Sequence, residues 1–118
     1  MSDTGVDLIF TCHADLPWTP SKFARGVEVK NLGKANGRAM QLVRFQPGAS
    51  FPAHLHTDAE FLFVLEGEVI QNGRRLHVGC STVAPAGSRD TEFLSPSGGT
   101  FLLVYALSTS EGFAAQTD

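Results

Sequence analysis

No stretch of this chain runs far without a glycine or a proline. Twelve Gly and six Pro cut it into runs of about five to eight residues, the usual length of a β-strand and too short for most helices. Val27-Glu28-Val29-Lys30 alternates strictly and is closed by Asn31-Leu32-Gly33. Ala39 to Phe45 ends at Gln46-Pro47-Gly48, Ser50 to His56 can be extended, and Phe61 to Leu65 is an unbroken apolar run. Val69-Ile70-Gln71 and Arg74 to Val78 flank Asn72-Gly73, a dipeptide whose tolerance of positive φ makes it the strongest short hairpin signal. Gly79 to Ala84 stops at Pro85-Ala86-Gly87. Thr91 to Leu94 is short, Ser95-Pro96-Ser97-Gly98-Gly99 turns the chain, and Thr100 to Leu107, the longest apolar run, reads as a buried strand.

About eight or nine short strands at regular spacing, with no amphipathic helix between them, predict an all-β sandwich or barrel. The 118 residues suffice for one domain. The expected division is an N-terminal arm over 1–25, a single barrel over 26–110 and a C-terminal tail over 111–118. In the arm, Leu16-Pro17-Trp18-Thr19-Pro20-Ser21 is too rich in proline for a central strand. A helical turn has room only in the first twenty residues or between Ser110 and Ala115.

A net charge of −3 leaves no basic footprint for a phosphate backbone, so nucleic-acid binding is not expected, and the adjacent Arg74 and Arg75 read as a solvated turn. No run approaches the roughly 20 apolar residues that span a bilayer, and Met1 to Gly5 has neither the basic nor the apolar part of a signal peptide. Cys12 and Cys80 belong to no C-x-x-C pattern and read as two free thiols. The expectation is a soluble cytoplasmic protein.

The chemistry is concentrated in one segment. His54 and His56 are one residue apart, so on a strand both rings point to the same face. Glu60 follows after Thr57-Asp58-Ala59, enough chain for a turn. Two imidazoles and one carboxylate converging on a point form the 2-His-1-carboxylate set of non-haem Fe(II) oxygenases, which leaves positions open for substrate and oxygen. Nitrogen and oxygen donors without thiolate suit Fe(II), Mn(II), Ni(II), Co(II) or Zn(II). An H-x-H pair alone is common and often inert. Here it sits in a frame, G-x5-H-x-H-x3-E-x6-G from Gly48 to Gly67, followed by G-x5-P-x-G over Gly79, Pro85 and Gly87.

The two stretches resemble the two motifs of the cupin superfamily. The first matches at Gly48, His54, His56, Glu60 and Gly67. The second matches at Gly79, Pro85 and Gly87, then departs: Asp90 stands where such cupins carry a histidine ligand, and Leu94 where they carry asparagine. Asp15-Leu16-Pro17-Trp18, Pro20-Ser21, Gly26-Val27 and Lys30 resemble the opening of cupins related to the ChrR-type anti-sigma-factor domain and to small diketone- and hydroxyacetophenone-cleaving dioxygenases. These resemblances imply a double-stranded β-helix, the jelly-roll barrel of cupin type, with one divalent metal ion in its mouth. They place Fe(II) ahead of Zn(II), Mn(II) or Ni(II). The implied ligands are His54, His56, Glu60 and Asp90. A carboxylate can replace imidazole at similar bond lengths, and two carboxylates would neutralise a dication; alternatively Asp90 hydrogen-bonds a ligand from outside, or the site has lost its metal.

Other polar residues carry less. Glu92 shares strand parity with Asp90 but reads as a rim carboxylate, His77 as a surface histidine, His13 as part of the arm, and Cys80 as core. Arg89 could bind a substrate carboxylate. Trp18 could cover the barrel, meet a partner subunit or line the pocket. If Glu60 points inward, Leu62 and Val64 point inward too, beside one parity of Phe101 to Tyr105, giving an apolar wall suited to a small hydrophobic or aromatic substrate. Phe61, Phe63 and Leu65 make the opposite face apolar as well, which calls for a covering layer from the arm or a second subunit, and so for a homodimer.

Three readings of function follow from the resemblance. One is a metal-dependent dioxygenase-like enzyme acting on a small carbonyl-containing or aromatic compound. Another is a non-catalytic metal or ligand sensor of ChrR type holding zinc in a closed site. Isomerase or lyase chemistry at the same metal is a third. Neither membrane nor nucleic acid is an expected partner; a small-molecule ligand is.

Overall fold

The computed structural model describes residues 5–107. Its elements are a 3-10 turn at His13–Asp15 and eleven strands: β1 Thr19–Pro20, β2 Val27–Ala35, β3 Arg38–Phe45, β4 Ala49–Ser50, β5 His54–Leu55, β6 Glu60–Gln71, β7 Arg74–His77, β8 Ser81–Ala84, β9 Arg89–Asp90, β10 Phe93–Ser95 and β11 Gly99–Ala106. The chain is all-β, as its punctuation predicts. No helix among the described residues is long and apolar enough to cross a membrane. The C-terminal tail, and the helical turn expected between Ser110 and Ala115, lie outside the described residues.

Every pairing is antiparallel. One curled sheet runs β1-β2-β3-β11-β6-β10-β4, with β7 and β8 also pairing to β6, and β5 and β9 form a separate two-stranded ladder. The proline-rich arm joins as the two-residue edge strand β1, where a missing N–H costs least. Two hairpins turn on Asn-Gly pairs in the left-handed region: Asn72 and Gly73 between β6 and β7, as expected, and Asn36 and Gly37 between β2 and β3. The second turn shows that β2 does not stop at Asn31-Leu32-Gly33. It steps through a register shift there and runs on to Ala35.

The other departures have local causes. Of the strand expected over Thr91 to Leu94, Phe93 and Leu94 lie in β10, while Thr91 and Glu92 fall between β9 and β10, where their N–H groups donate to the side-chain oxygen of Asn72, at 2.8 and 3.3 Å. The runs Phe61–Leu65 and Val69–Gln71 fuse into one long β6. A bulge opposite Thr100 and Phe101 inserts one residue into β6, so inward positions are even before it (Glu60, Leu62, Val64) and odd after it (Val69, Gln71). Gly67 makes this possible. Its φ is +65°, and a Cβ there would run into the carbonyl oxygen of Gly98.

The core lies between the curled layers. Phe45, Phe93 and Phe101 form a triangle with ring centroids 5.0 to 5.6 Å apart, all nearly or fully buried. Val27, Val29, Val43, Val64, Val69 and Leu103 pack around it. Phe101, Leu103 and Tyr105 are the inward set of β11, as parity predicts. On the opposite face Phe61, Phe63 and Leu65 are 45, 44 and 41% exposed, so among the described residues the expected covering layer is absent. Trp18 instead covers a neighbouring part of the barrel's outside, its ring stacked by the Lys30 ammonium at 4.9 Å and the Arg44 guanidinium at 4.2 Å.

Candidate metal centre

The site assembles from three short pieces. His54, Leu55 and His56 alternate through β5 and one residue past its end, which keeps both imidazoles on one side and Leu55 on the other. The Thr57–Ala59 turn, tied by the Ala59 N–H to the Asp58 carboxylate at 2.8 Å, delivers Glu60 as the first residue of β6. The β5–β9 ladder pairs His54 directly with Asp90. His56 is locked to the second-motif loop by its N–H to the Ser88 carbonyl, 2.8 Å, and by the Gly87 N–H to its own carbonyl, 2.7 Å.

The side chains converge. One donor atom each from His54, His56 and Glu60 lies within 4.8 Å of the others. His56 stands between two carboxylates: Nε2 is 3.0 Å from Asp90 Oδ1 and Nδ1 is 3.5 Å from Glu60 Oε2. Asp90 Oδ2 is 4.0 Å from His54 Nε2. His56, Glu60 and Asp90 are buried, at 1, 6 and 4% exposure, with His54 half-buried above them. Gln71 Nε2 donates to Asp90 Oδ1 at 3.0 Å and fixes that carboxylate from behind.

Two features fit this set to a divalent metal. The Pro52 carbonyl can only accept, so the 3.1 Å contact with His54 Nδ1 puts the proton on Nδ1 and turns a lone pair on Nε2 toward the cluster. At His56, burial alone would lower the imidazole pKa. Hydrogen bonds and charge from Asp90 and Glu60 outweigh it and raise the pKa from 6.5 to about 10. The field at the centre of the cluster therefore favours positive charge, and nitrogen and oxygen donors of this kind suit a first-row divalent ion.

The remaining candidates lie apart from the cluster. The Glu92 carboxylate accepts the Gly73 N–H at 3.0 Å. His77 is exposed at the end of β7. The His13 carbonyl accepts from Lys30 Nζ at 2.7 Å, which docks the arm. Cys12 and Cys80 are both free, the first exposed and the second half-buried. Leu62, Val64, Phe101 and Leu103 belong to the packed core and do not line the pocket that reaches Asp90. That pocket, about 420 Å³, is more polar than parity alone suggested, and Asp90 and Gln71 are among the residues lining it. Sequence reasoning missed Gln71, because its odd spacing from Glu60 puts it on the wrong face until the bulge is known.

The sequence profile of the ChrR cupin-like domain matches residues 7–109. The chain belongs to the ChrR cupin-like family. Solved structures with the same fold include three instructive relatives of this ChrR-type cupin. A candidate acetylacetone dioxygenase of Methylibium petroleiphilum is 18% identical, with TM-score 0.79 over 90% of this chain and 81% of its own. An acetylacetone dioxygenase of Acinetobacter johnsonii is 14% identical, with TM-score 0.72 over 90% and 77%. The Rhodobacter sphaeroides anti-sigma factor ChrR, solved with SigE, is 20% identical, with TM-score 0.67 over 78% of this chain and 49% of its own. The present chain thus corresponds to about half of that anti-sigma factor. At these identities the likeness establishes the cupin fold. No curated protein matches the chain.

Proposed function

We propose that this ChrR-type cupin is a metal-dependent, dioxygenase-like enzyme acting on a small carbonyl-containing or aromatic compound. The observation that carries the reading is the convergence of His54, His56 and Glu60 within 4.8 Å beside a pocket that reaches Asp90. His54, His56 and Glu60 hold one divalent ion, and Asp90 completes the set. Fe(II) is the preferred ion, with Zn(II), Mn(II) or Ni(II) as alternatives. Fe(II) there supplies the one-electron chemistry that lets dioxygen react with a closed-shell organic substrate.

The chain's own residues do the rest. The Pro52 carbonyl holds the His54 ring in one tautomer, and Gln71 holds Asp90 in one rotamer. The Ser88 and Gly87 backbone bonds keep His56 at the centre, where His56 gives up its shared proton when a cation enters. The test is loading of apoprotein with Fe(II), followed by oxygen uptake in the presence of acetylacetone and related small carbonyl compounds. Uptake that stops in His56→Ala supports the reading; a loaded protein inert to all of them contradicts it.

One observation favours a second reading, a zinc sensor of ChrR type. Asp90 lies 3.0 Å from His56, near enough to close the coordination sphere with a fourth protein donor. Cobalt substitution separates the two: intense visible bands mark a closed four-coordinate site, and weak bands mark the five or six positions an enzyme needs.

The functional unit is a homodimer in this account. Met40, Val104, Phe61 and Val83 pair in one row across β3, β11, β6 and β8, and all but Val104 are at least 42% exposed. A second copy is the occupant that covers this row, because each copy also presents an apolar arm, Leu8-Ile9-Phe10, exposed by 71% or more.

A further inference from the structure

The pocket that reaches Asp90 has a charge pattern of its own. Its volume is about 420 Å³, the size of a small-molecule site. Buried Gln71 and Asp90 lie at its inner end, Leu76 and Ala84 form part of its wall, and the exposed Arg74 and Arg89 lie toward solvent. Among the residues that line it, Asp90 alone carries a carboxylate. That carboxylate is engaged by His56 and by Gln71.

Of the chain's six arginines, Arg44 and Arg75 are ion-paired, and Arg25, Arg38, Arg74 and Arg89 are not paired with any described residue. Arg44 is paired with Glu28 at 2.7 Å, and Arg75, beside Arg74, is paired with Glu68. The guanidinium groups of Arg74 and Arg89 make no ion pair with any described residue. Glu92, the nearest carboxylate in sequence to Arg89 after Asp90, is turned to the Gly73 N–H instead.

The backbone segments that carry Arg74 and Arg89 are tied together. Asn72, at the hairpin turn two residues before Arg74, donates through Nδ2 to the Arg89 carbonyl at 2.8 Å. Its Oδ1 accepts from the Thr91 N–H at 2.8 Å and the Thr91 hydroxyl at 3.1 Å, and its own N–H donates to the Glu92 carbonyl at 2.8 Å. One side chain thus ties the Arg74 hairpin to the Arg89 strand, at the mouth of the same pocket.

We propose that this pocket takes an anionic small molecule, a carboxylate-bearing carbonyl compound, with Arg74 and Arg89 as the groups that bind its carboxylate. Guanidinium is the side chain best shaped for that partner, since it can offer two parallel N–H donors. Charge bookkeeping points the same way. Glu60 and Asp90 balance a bound dication, so the centre itself supplies no net attraction for an anion. Arg74 and Arg89 do. A neutral diketone would leave both without a partner at the mouth.

This inference rests on the metal-enzyme reading for the word substrate, but its test does not. Acetoacetate and acetylacetone have the same size and differ in a carboxylate against an acetyl group. Calorimetric titration of both, into zinc-loaded and metal-free protein, reads the preference directly. Wild type is expected to bind acetoacetate at least about tenfold more tightly than acetylacetone. Arg74→Ala and Arg89→Ala are each expected to lose about that factor for acetoacetate and nothing for acetylacetone, whereas Arg75→Ala, outside the pocket, keeps the preference. Equal binding of the two compounds, no binding of acetoacetate by either form, or unchanged affinity in both pocket variants overturns the inference. If zinc does not load but the metal-free protein keeps an arginine-dependent preference, the anion site stands and the metal reading falls.

Discussion

Gln71 Nε2 donates to Asp90 Oδ1 at 3.0 Å, and the same oxygen lies 3.0 Å from His56 Nε2. The amide therefore stands behind a carboxylate that faces the candidate metal ligands, and it leaves Oδ2 turned toward His54 at 4.0 Å. Gln71→Leu keeps approximate size and removes the donor. It is expected to weaken metal affinity by about 10- to 100-fold, the usual effect of losing a partner that orients a ligand. Competition against a chromogenic chelator measures this. Unchanged affinity would place Asp90 outside the metal's reach.

Gly67 is expected to be intolerant of any side chain. It combines a φ of +65° with the Gly98 carbonyl where a Cβ would sit. Gly67→Ala should cost about 1–3 kcal/mol in urea unfolding from backbone strain alone, with more from the clash. Because the bulge sets the facing of Gln71, the variant that does fold should also lose metal affinity. A fully stable, metal-competent Gly67→Ala would contradict the role assigned to the bulge.

The pH dependence of the metal-free protein follows from His56. Its folded pKa is about 10 against an ordinary 6.5, so the folded state holds the proton more tightly than the unfolded one. That contribution is complete below pH 6.5, shrinks as pH rises, and is gone above about 10. Metal-free wild type should lose stability between pH 7 and 10 relative to His56→Gln, in parallel thermal melts. Metal loading at neutral pH should release a proton, measurable as a buffer-dependent binding enthalpy. Equal pH slopes for the two proteins would contradict the assignment.

The exposed row on β6 makes a prediction about assembly. Wild type should sediment as a dimer at micromolar concentration. Phe61→Glu with Phe63→Lys should be a folded monomer, since both side chains already reach solvent at 45 and 44% exposure in the single chain. A monomeric wild type would leave this face without its proposed partner.

Much of this was legible in the sequence, for identifiable reasons. The two histidines and Glu60 are local in the chain, so a strand's two-residue period and one short turn suffice to bring them together. Asp90 is far in sequence, and only the resemblance to the second cupin motif pointed to it. The β5–β9 pairing of His54 with Asp90 then puts it within the cluster. Gln71 and the tie between the Arg74 hairpin and Arg89 were not legible. The first depends on a bulge that reverses parity along β6, and the second on hydrogen bonds from Asn72 to a segment 17 residues away. Neither leaves a periodic trace. The hairpin at Asn36-Gly37 carried the same signal as Asn72-Gly73, but the early glycine at 33 concealed it by suggesting that β2 had already ended.

The central claim is that His54, His56, Glu60 and Asp90 hold a divalent metal, and elemental analysis of untagged protein tests it most directly. Wild type is expected to carry about one equivalent of a first-row divalent ion, His56→Ala none, and Asp90→Ala a metal that dialysis removes. Native protein that holds no metal and takes up none from Fe(II), Zn(II), Mn(II) or Ni(II) would contradict the account.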